Sequence, residues 1–203
     1  YPAPGQIGQF YDTLPHIVFD RCTLPWERTI DGANPTSPHD PWLALILLTD
    51  ADFTHEPEPH VPLIVSRTLA EALKPKEQGV IAPSLQLDPY DAESDLCRTI
   101  DLPVGVFSAV MPRKEDLQYL AHVREVHTGN KETWSLLKEG KFSVVVCNRF
   151  PESQAMATGE KDWGIVNTMC LVSLEGWGDY LNRKTLPPGI MNCRVLVLGS
   201  WQF

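Results

Sequence analysis

Proline is concentrated in the first half of this 203-residue sequence. Fifteen of the 18 prolines lie within residues 1–112, and only three fall in residues 113–203. Because proline breaks helix interiors and is confined to edges and turns in sheets, we expect the first half to consist of short extended segments joined by turns. Longer helices are expected only in the second half.

Apolar runs in the proline-rich half indicate three short β-strands. These runs are His16–Phe19, Trp42–Leu48 and Val61–Val65. After the third run, Thr68 and Glu71 have the spacing of a capping box, which predicts a short helix that ends before Pro75. Residues 77–95 are polar and interrupted by prolines, so we expect mostly loop there.

The second half alternates more regularly between helical and strand patterns. The predicted helices are a turn at residues 117–121, the segment Lys131–Glu139 and a helix capped by Ser173 that carries Leu174, Trp177, Tyr180 and Leu181. The predicted strands are Phe142–Phe150, Ile165–Val172 and Met191–Leu198. The first of these strands is apolar on both faces, which is typical of a central, buried strand.

The mixed order of these segments predicts an α+β fold, with a mainly antiparallel β-sheet, several short helices and a proline-rich, extended N-terminal half. The length suits a single compact domain over residues 1–203, with an acidic part at 1–112 and a more regular part at 113–203. The sequence begins with Tyr1 rather than Met. We therefore expect the domain to belong to a longer chain or assembly.

Negative charge is also confined to one half of the sequence. The formal net charge is −9: residues 1–100 hold 6 Lys and Arg against 15 Asp and Glu, whereas residues 101–203 hold 11 of each. This balance disfavours nucleic acid and anionic membrane surfaces, which are bound through basic patches. The longest apolar run, Trp42–Leu48, is far shorter than the roughly 18–20 residues needed to span a bilayer. We expect neither nucleic-acid binding nor membrane insertion.

The five cysteines are widely spaced and include no CxxC pair. Three of them, Cys147, Cys170 and Cys193, lie within apolar runs. Because free cysteine is among the most frequently buried residue types, we interpret these three as core residues. Such cysteine usage favours a reducing, intracellular compartment and leaves the localisation otherwise open.

The sequence contains no GxGxxG, no Walker A loop, no GxSxG elbow and no HExxH motif. The densest group of possible metal ligands follows the second predicted strand. It consists of Asp50, Asp52, His55, Glu56, Glu58 and His60. Oxygen and nitrogen ligands at the carboxyl end of a strand predict a site for a divalent metal that activates water.

The same segment also fits a solvated acidic loop. Pro57, Pro59 and Pro62 hold it extended, so that successive side chains point apart. Read as a calcium loop, it lacks the glycine at position 6 and the glutamate at position 12. A further chemical candidate is Cys147, because the nearby cation Arg149 would lower the pKa of a nucleophilic thiol.

Two functional hypotheses from different classes follow. The first is a non-catalytic structural or protein-interaction module of a larger chain or assembly, which needs no cofactor and engages a protein partner or further copies of itself. The alternative is a small metal-dependent hydrolase that uses the Asp50–His60 segment and a divalent metal. The missing catalytic motifs favour the first hypothesis, so we expect a protein that is not an enzyme.

Overall fold

The computed structural model describes residues 1–31, 40–85, 87–127, 139–152, 164–181 and 185–203. The strands are β1 (His16–Phe19), β2 (Leu43–Leu48), β3 (Val65–Thr68), β4 (Val80–Ile81), β5 (Leu96–Pro103), β6 (Ala121–His127), β7 (Glu139–Val146), β8 (Thr168–Ser173) and β9 (Asn192–Gln202). The α-helices are α1 (Leu69–Leu73), α2 (Val104–Val110), α3 (Leu117–Leu120) and α4 (Gly178–Leu181), and short 3-10 turns lie at Leu24–Trp26, Asp50–Phe53 and Lys114–Asp116. The fold is α+β and mainly antiparallel, with short helices, as the sequence predicts.

The strands form two sheets. A three-stranded sheet has the order β1-β7-β6, and a six-stranded sheet has the order β2-β8-β9-β5-β3, with β4 added beside β9. All of these pairs are antiparallel except β4 with β9. The long strand β9 pairs with β5 through residues 192–196 and with β8 through residues 197–202. β9 therefore joins the β2-β8 and β3-β5 halves of the larger sheet.

Hydrophobic cores lie on both faces of β2. The core between the two sheets includes Leu43, Leu45 and Leu47 of β2, Ala121 of β6 and Val145 of β7. The core on the opposite face includes Ala44, Ile46 and Leu48 of β2, Val106, Phe107 and Val110 of α2, and Trp177. Because side chains alternate along a strand and both faces are covered, every residue of β2 is apolar and buried.

Several local predictions in the first half are confirmed. β1 has the predicted bounds, and β2 begins one residue later than predicted. At the start of α1 the Thr68 hydroxyl accepts a hydrogen bond from the Glu71 amide at 3.3 Å, and the Glu71 carboxylate accepts one from the Thr68 amide at 3.0 Å. The helix ends at Leu73, before Pro75, and the described residues of 77–95 contain the two-residue β4 as their only strand.

The strand predicted at Val61–Val65 is wrong in its bounds. β3 begins only at Val65 and runs to Thr68. Val61 and Ile64 pack against the core from an irregular segment, because Pro62 between them has no amide hydrogen to offer a sheet. The apolar pattern predicted that Val61 and Ile64 pack against the core, but it did not predict which residues pair with a neighbouring strand.

The helix predicted after Ser173 is also shorter than expected. Ser173 ends β8, and its hydroxyl accepts a hydrogen bond from the Glu175 amide in a turn. Gly176 has a φ of +75°, which a right-handed helix does not contain, so α4 is a single turn beginning at Gly178. Trp177 and Leu181 are nevertheless buried as the apolar spacing predicts.

The remaining second-half segments agree in type and differ in extent. The predicted strand Phe142–Phe150 is β7, which lies centrally between β1 and β6 and covers Glu139–Val146. The helix predicted at Lys131–Glu139 lies outside the described residues except for Glu139, which belongs to β7. β8 starts later than predicted, and β9 extends to Gln202.

Cys147, Cys170 and Cys193 are free and have no exposed surface, which confirms their predicted core positions. Burial raises the pKa of the Cys147 thiol to about 11 and that of Cys170 and Cys193 to about 12. Cys22 and Cys97 are half-buried. Within the described parts of the chain, no helix is both long and apolar enough to cross a membrane.

Arg194 of β9 is buried and forms hydrogen bonds with neighbouring segments. Arg194 is 1% exposed, and its guanidinium donates two hydrogen bonds of 2.8 Å to the Asp101 carboxylate on β5. It also donates to the Glu71 carbonyl at 3.0 Å and to the Glu77 carboxylate at 2.9 Å. Arg67 on β3 reaches the same Asp101 carboxylate at 3.3 Å. These contacts raise the pKa of Arg194 and lower that of Glu77 to about 2, chiefly through the hydrogen bonds between the ions.

Candidate functional site

The segment with the predicted metal ligands begins in the 3-10 turn Asp50–Phe53, directly after β2. The Asp50 carboxylate accepts a hydrogen bond from the Val61 amide at 2.9 Å and lies 3.4 Å from His60 Nδ1. Both side chains are largely exposed. The structure thus brings one carboxylate and one histidine together across ten residues, although the prolines between them prevent regular structure.

Asp52 is oriented away from that pair. Its carboxylate accepts a hydrogen bond from the Thr49 amide at 2.9 Å and forms a 2.8 Å ion pair with Arg149. Glu56 lies beside Gly105 at the start of α2. Its Oε1 is 3.9 Å from the position that a Cβ on Gly105 would occupy. Asp52 therefore links the turn to the chain after β7.

The six predicted ligands do not form one cluster. His55 and Glu58 are exposed, while Asp52 and Glu56 are directed to different neighbours. Among the described residues, no group of three or more His, Cys, Asp or Glu side chains is arranged to hold a metal ion. The metal site stays a prediction, of which the geometry supplies only the pair of Asp50 and His60.

Cys147 is placed unfavourably for nucleophilic chemistry. Its thiol is fully buried, and burial holds its pKa at about 11, so the thiol is protonated at neutral pH. Arg149 makes its closest ion pair with Asp52, and it lowers the pKa of the thiol by less than burial raises it. The thiol lies 3.9 Å from Asn148 Oδ1, a weak contact that fits a core position.

A cleft of about 560 Å³ lies between α2, α4 and the segment 185–190. Its walls are mainly apolar and include Phe107, Met111, Tyr180, Leu181, Leu186 and Ile190. Arg113 is the only charged residue among the described residues that line it, and Ser108 and Thr185 add hydroxyl groups. The size is within the range of roughly 300–1,000 Å³ that is typical of small-molecule sites.

A buried hydrogen-bond donor lies behind one wall of this cleft. The Trp177 ring lies 4.8 Å from the Phe107 ring and 5.7 Å from the Tyr180 ring, measured between centroids. Its indole nitrogen has no hydrogen-bond partner within the described ranges. Leaving such a donor buried without an acceptor costs about 1–3 kcal/mol, so this position is a weak point of the packing.

The second notable surface is the β3 edge, which we define as the free side of β3 with the exposed side chains of Leu63, Val65 and Leu198. In the described part of the larger sheet, β3 pairs only with β5. Leu63 is 85% exposed, Val65 41% and Leu198 48%. Val65, Thr99 and Leu196 form one cross-strand row, and Leu198 follows two residues later. An aliphatic strip thus borders an open strand.

Charged side chains do not protect the β3 edge from pairing with another strand. The only charged residue of β3 is Arg67, whose guanidinium contacts Thr99 and Asp101 within the sheet. Exposed edge strands are normally protected by charged side chains, and β6 in the smaller sheet is protected in that way by Arg124 and Glu125. β1 is covered by Tyr1, whose carbonyl accepts a hydrogen bond from the His16 amide at 2.9 Å.

No protein-family model, no curated protein and no solved structure matches this chain. The cleft and the β3 edge are therefore the features from which a function can be inferred. Sequence reasoning identified neither of them. The cleft walls come from segments about 70 residues apart, from α2 to α4, and an open edge is a property of the sheet order.

Proposed function

We propose that this chain is a non-catalytic structural or protein-interaction module of a longer chain or assembly. The observation that supports this proposal is the β3 edge. An open strand with exposed aliphatic side chains and no guarding charge is suited to strand addition, in which main-chain hydrogen bonds supply affinity and alternate side chains supply register. The residues within the sheet need no rearrangement for a further strand to pair.

The partner that fits this edge is an extended strand with aliphatic side chains on one face. A second copy of the chain supplies such a strand through its own β3. Two antiparallel β3 edges related by a twofold axis would form an isologous contact, in which Leu63 and Val65 of both copies meet. The proposal therefore takes a second copy as the occupant of the edge.

Sedimentation velocity over a wide range of protein concentrations tests this proposal. The wild-type chain is expected to form a dimer as concentration rises. Val65→Lys is expected to remain monomeric, because a charge on an edge strand opposes pairing. The matched control is Ile7→Lys, which adds the same charge at a side chain that is 98% exposed and remote in sequence from β3.

Two outcomes would contradict the proposal. One is a wild-type chain that stays monomeric at every concentration. The other is dimerisation that Val65→Lys leaves unchanged.

The alternative function, a small metal-dependent hydrolase, is favoured by one observation, the contact between Asp50 and His60. Native mass spectrometry with elemental analysis tests it. Stoichiometric Zn, Mn or Fe that is lost in His60→Ala would support this alternative. A protein that stays metal-free after incubation with each of these ions would count against it.

A further inference from the structure

We propose that the cleft between α2 and α4 binds a small amphipathic molecule with an apolar body and a single anionic head. This inference goes beyond the proposed function and is independent of it, because the cleft and the β3 edge share no residue. It rests on the shape of the cleft and on its charge.

The shape of the cleft fits an apolar body. Phe107, Met111 and Leu181 are each less than 10% exposed, so the walls are fixed by the core behind them. Pro187 and Pro188 contribute to the opposite side, where their rings restrict the backbone. A concave, pre-formed and mostly apolar surface with few polar groups is the usual form of a small-molecule site.

The charge of the cleft selects the head group. The chain carries 26 acidic residues against 17 basic ones, yet none of the described residues that line the cleft is Asp or Glu. Among the described residues of the lining, Arg113 supplies the single cation, and its 3.6 Å ion pair with Glu115 is exposed on both sides. Such a pair is weak, so an anionic head can compete for the guanidinium, which favours carboxylates and phosphates.

The packing behind the cleft wall leaves one polar group unsatisfied. The Trp177 indole donor is fully buried without an acceptor in the described structure, and its ring contacts two residues of the cleft wall, Phe107 and Tyr180. Unsatisfied buried donors are rare in native proteins. Trp177 itself does not line the cleft, so this unsatisfied donor describes the packing behind Phe107 and Tyr180.

Isothermal titration with decanoate and its analogues tests the proposal. Decanoate is expected to bind with a stoichiometry of one, and decyltrimethylammonium, which has the same chain and the opposite charge, is expected to bind at least roughly tenfold more weakly. Decyl phosphate distinguishes the source of the anion: tighter binding than decanoate identifies a phosphate head, and weaker binding a carboxylate. Absence of decanoate and decyl phosphate binding would overturn the proposal, as would equal affinity for the cationic analogue.

Variants locate the binding within the cleft. Ser108→Trp fills the cleft from an exposed position on α2 and should abolish binding, whereas Ala109→Trp, at the exposed neighbouring residue outside the lining, should not. Arg113→Gln should weaken decanoate binding by roughly fivefold or more, because a charge-assisted contact is lost. Arg124→Gln, on β6, is the matched control. Equal binding by all four variants would refute the assignment.

A measurement on the wild-type chain removes any dependence on how the variants fold. Methyl-labelled methionine gives one NMR signal for Met111 in the cleft and one for Met169, which is fully buried in the other core. Decanoate should shift the Met111 signal, assigned with Met111→Leu, and leave the Met169 signal in place. Shifts of similar size at both residues would indicate non-specific detergent action and would overturn the proposal.

Discussion

Arg194 is held in the interior by hydrogen bonds to each side of its guanidinium group. Burying a charge is costly, and the cost is offset only when well-oriented partners replace the lost water. Asp101 supplies two such contacts, while Glu77 and the Glu71 carbonyl supply one each. At the scale of single residues, β9 is therefore fixed by ions as well as by its apolar side chains.

Asp101→Asn tests this arrangement. The variant keeps the shape of the side chain and removes the charge opposite Arg194, so we expect a loss of about 3–5 kcal/mol in the free energy of unfolding. Urea denaturation followed by circular dichroism measures it. Asp12→Asn, at an exposed aspartate, serves as the control and should change the value by less than about 0.5 kcal/mol. A loss of the same small size for Asp101→Asn would show that the buried charge is not held by this pair.

The same network predicts a pH dependence through Glu77. Its pKa falls from the usual 4.5 to about 2 in the folded protein, so its contribution to stability is complete above pH 4.5 and is lost as the pH falls toward 2. The stability difference between wild type and Glu77→Gln should therefore be largest at neutral pH and shrink steadily below pH 4.5. Urea unfolding of both proteins at successive pH values measures this difference. A difference that stays constant through the acid range would disprove the assignment.

The thiols should report their burial directly. Cys147, Cys170 and Cys193 are inaccessible and have raised pKa values, so a thiol reagent should modify them slowly in the native protein and rapidly after denaturation. Cys22 and Cys97, which are half-buried, should react first. Mass spectrometry of the labelled protein distinguishes the five sites. Fast, selective modification of Cys147 would restore it as a candidate nucleophile.

At the scale of elements, local sequence signals predicted what local physics controls. The capping box at Thr68 and Glu71 and the apolar run that forms β2 could both be recognised in the sequence, because their causes lie within a few residues. The bounds of β3 and α4 could not be predicted from local signals. Pro62 excludes the preceding segment from the sheet, and the positive φ of Gly176 interrupts the helical pattern before α4. The apolar spacing before α4 fits side chains buried in a turn as well as side chains buried along a helix.

The Asp50–His60 segment provides an element-scale test, because its side chains differ in what they contact. The double variant His55→Ala with His60→Ala should change stability by no more than about 0.5 kcal/mol, since the contact of His60 with Asp50 is exposed. Asp52→Ala should cost about 1–2 kcal/mol, because it removes the bond to the Thr49 amide and the ion pair with Arg149. Thermal and urea unfolding give both values. A larger effect for the histidine pair than for Asp52 would contradict this ranking.

At the scale of the whole molecule, the features that sequence reasoning missed are those made by distant segments. Arg67, Asp101 and Arg194 meet only because β3, β5 and β9 are neighbours in the sheet. The cleft likewise needs α2 and α4 on one face of that sheet. No spacing rule along the chain encodes these contacts, whereas the apolar run Met191–Leu198 predicted a strand at β9 from local composition alone.

Deletion of residues 194–203 tests the central place of β9. The deletion removes the strand that pairs with both β5 and β8, together with the buried side chains of Val195 and Val197 and the partly buried side chains of Trp201 and Phe203, which pack against the core. The lost burial approaches about 10 kcal/mol, comparable to the whole stability of a domain, so the truncated chain should be unfolded. Circular dichroism and size-exclusion chromatography measure the outcome. A folded, monomeric product would show that the two halves of the sheet are stable without this strand.

The position of β9 also bears on how the chain folds as it leaves the ribosome. β3 can pair with β5, and β2 with β8, before β9 has been made. Nothing in the described sheet joins these two pairs of strands until β9 is added. Contacts between segments far apart in sequence form slowly, and the partly built sheet exposes strand edges in the meantime. Within the described sheet β2 has no partner until β8 is made, so through most of its translation the nascent chain exposes an unpaired, apolar β2, a state in which chaperones would have their main opportunity to bind.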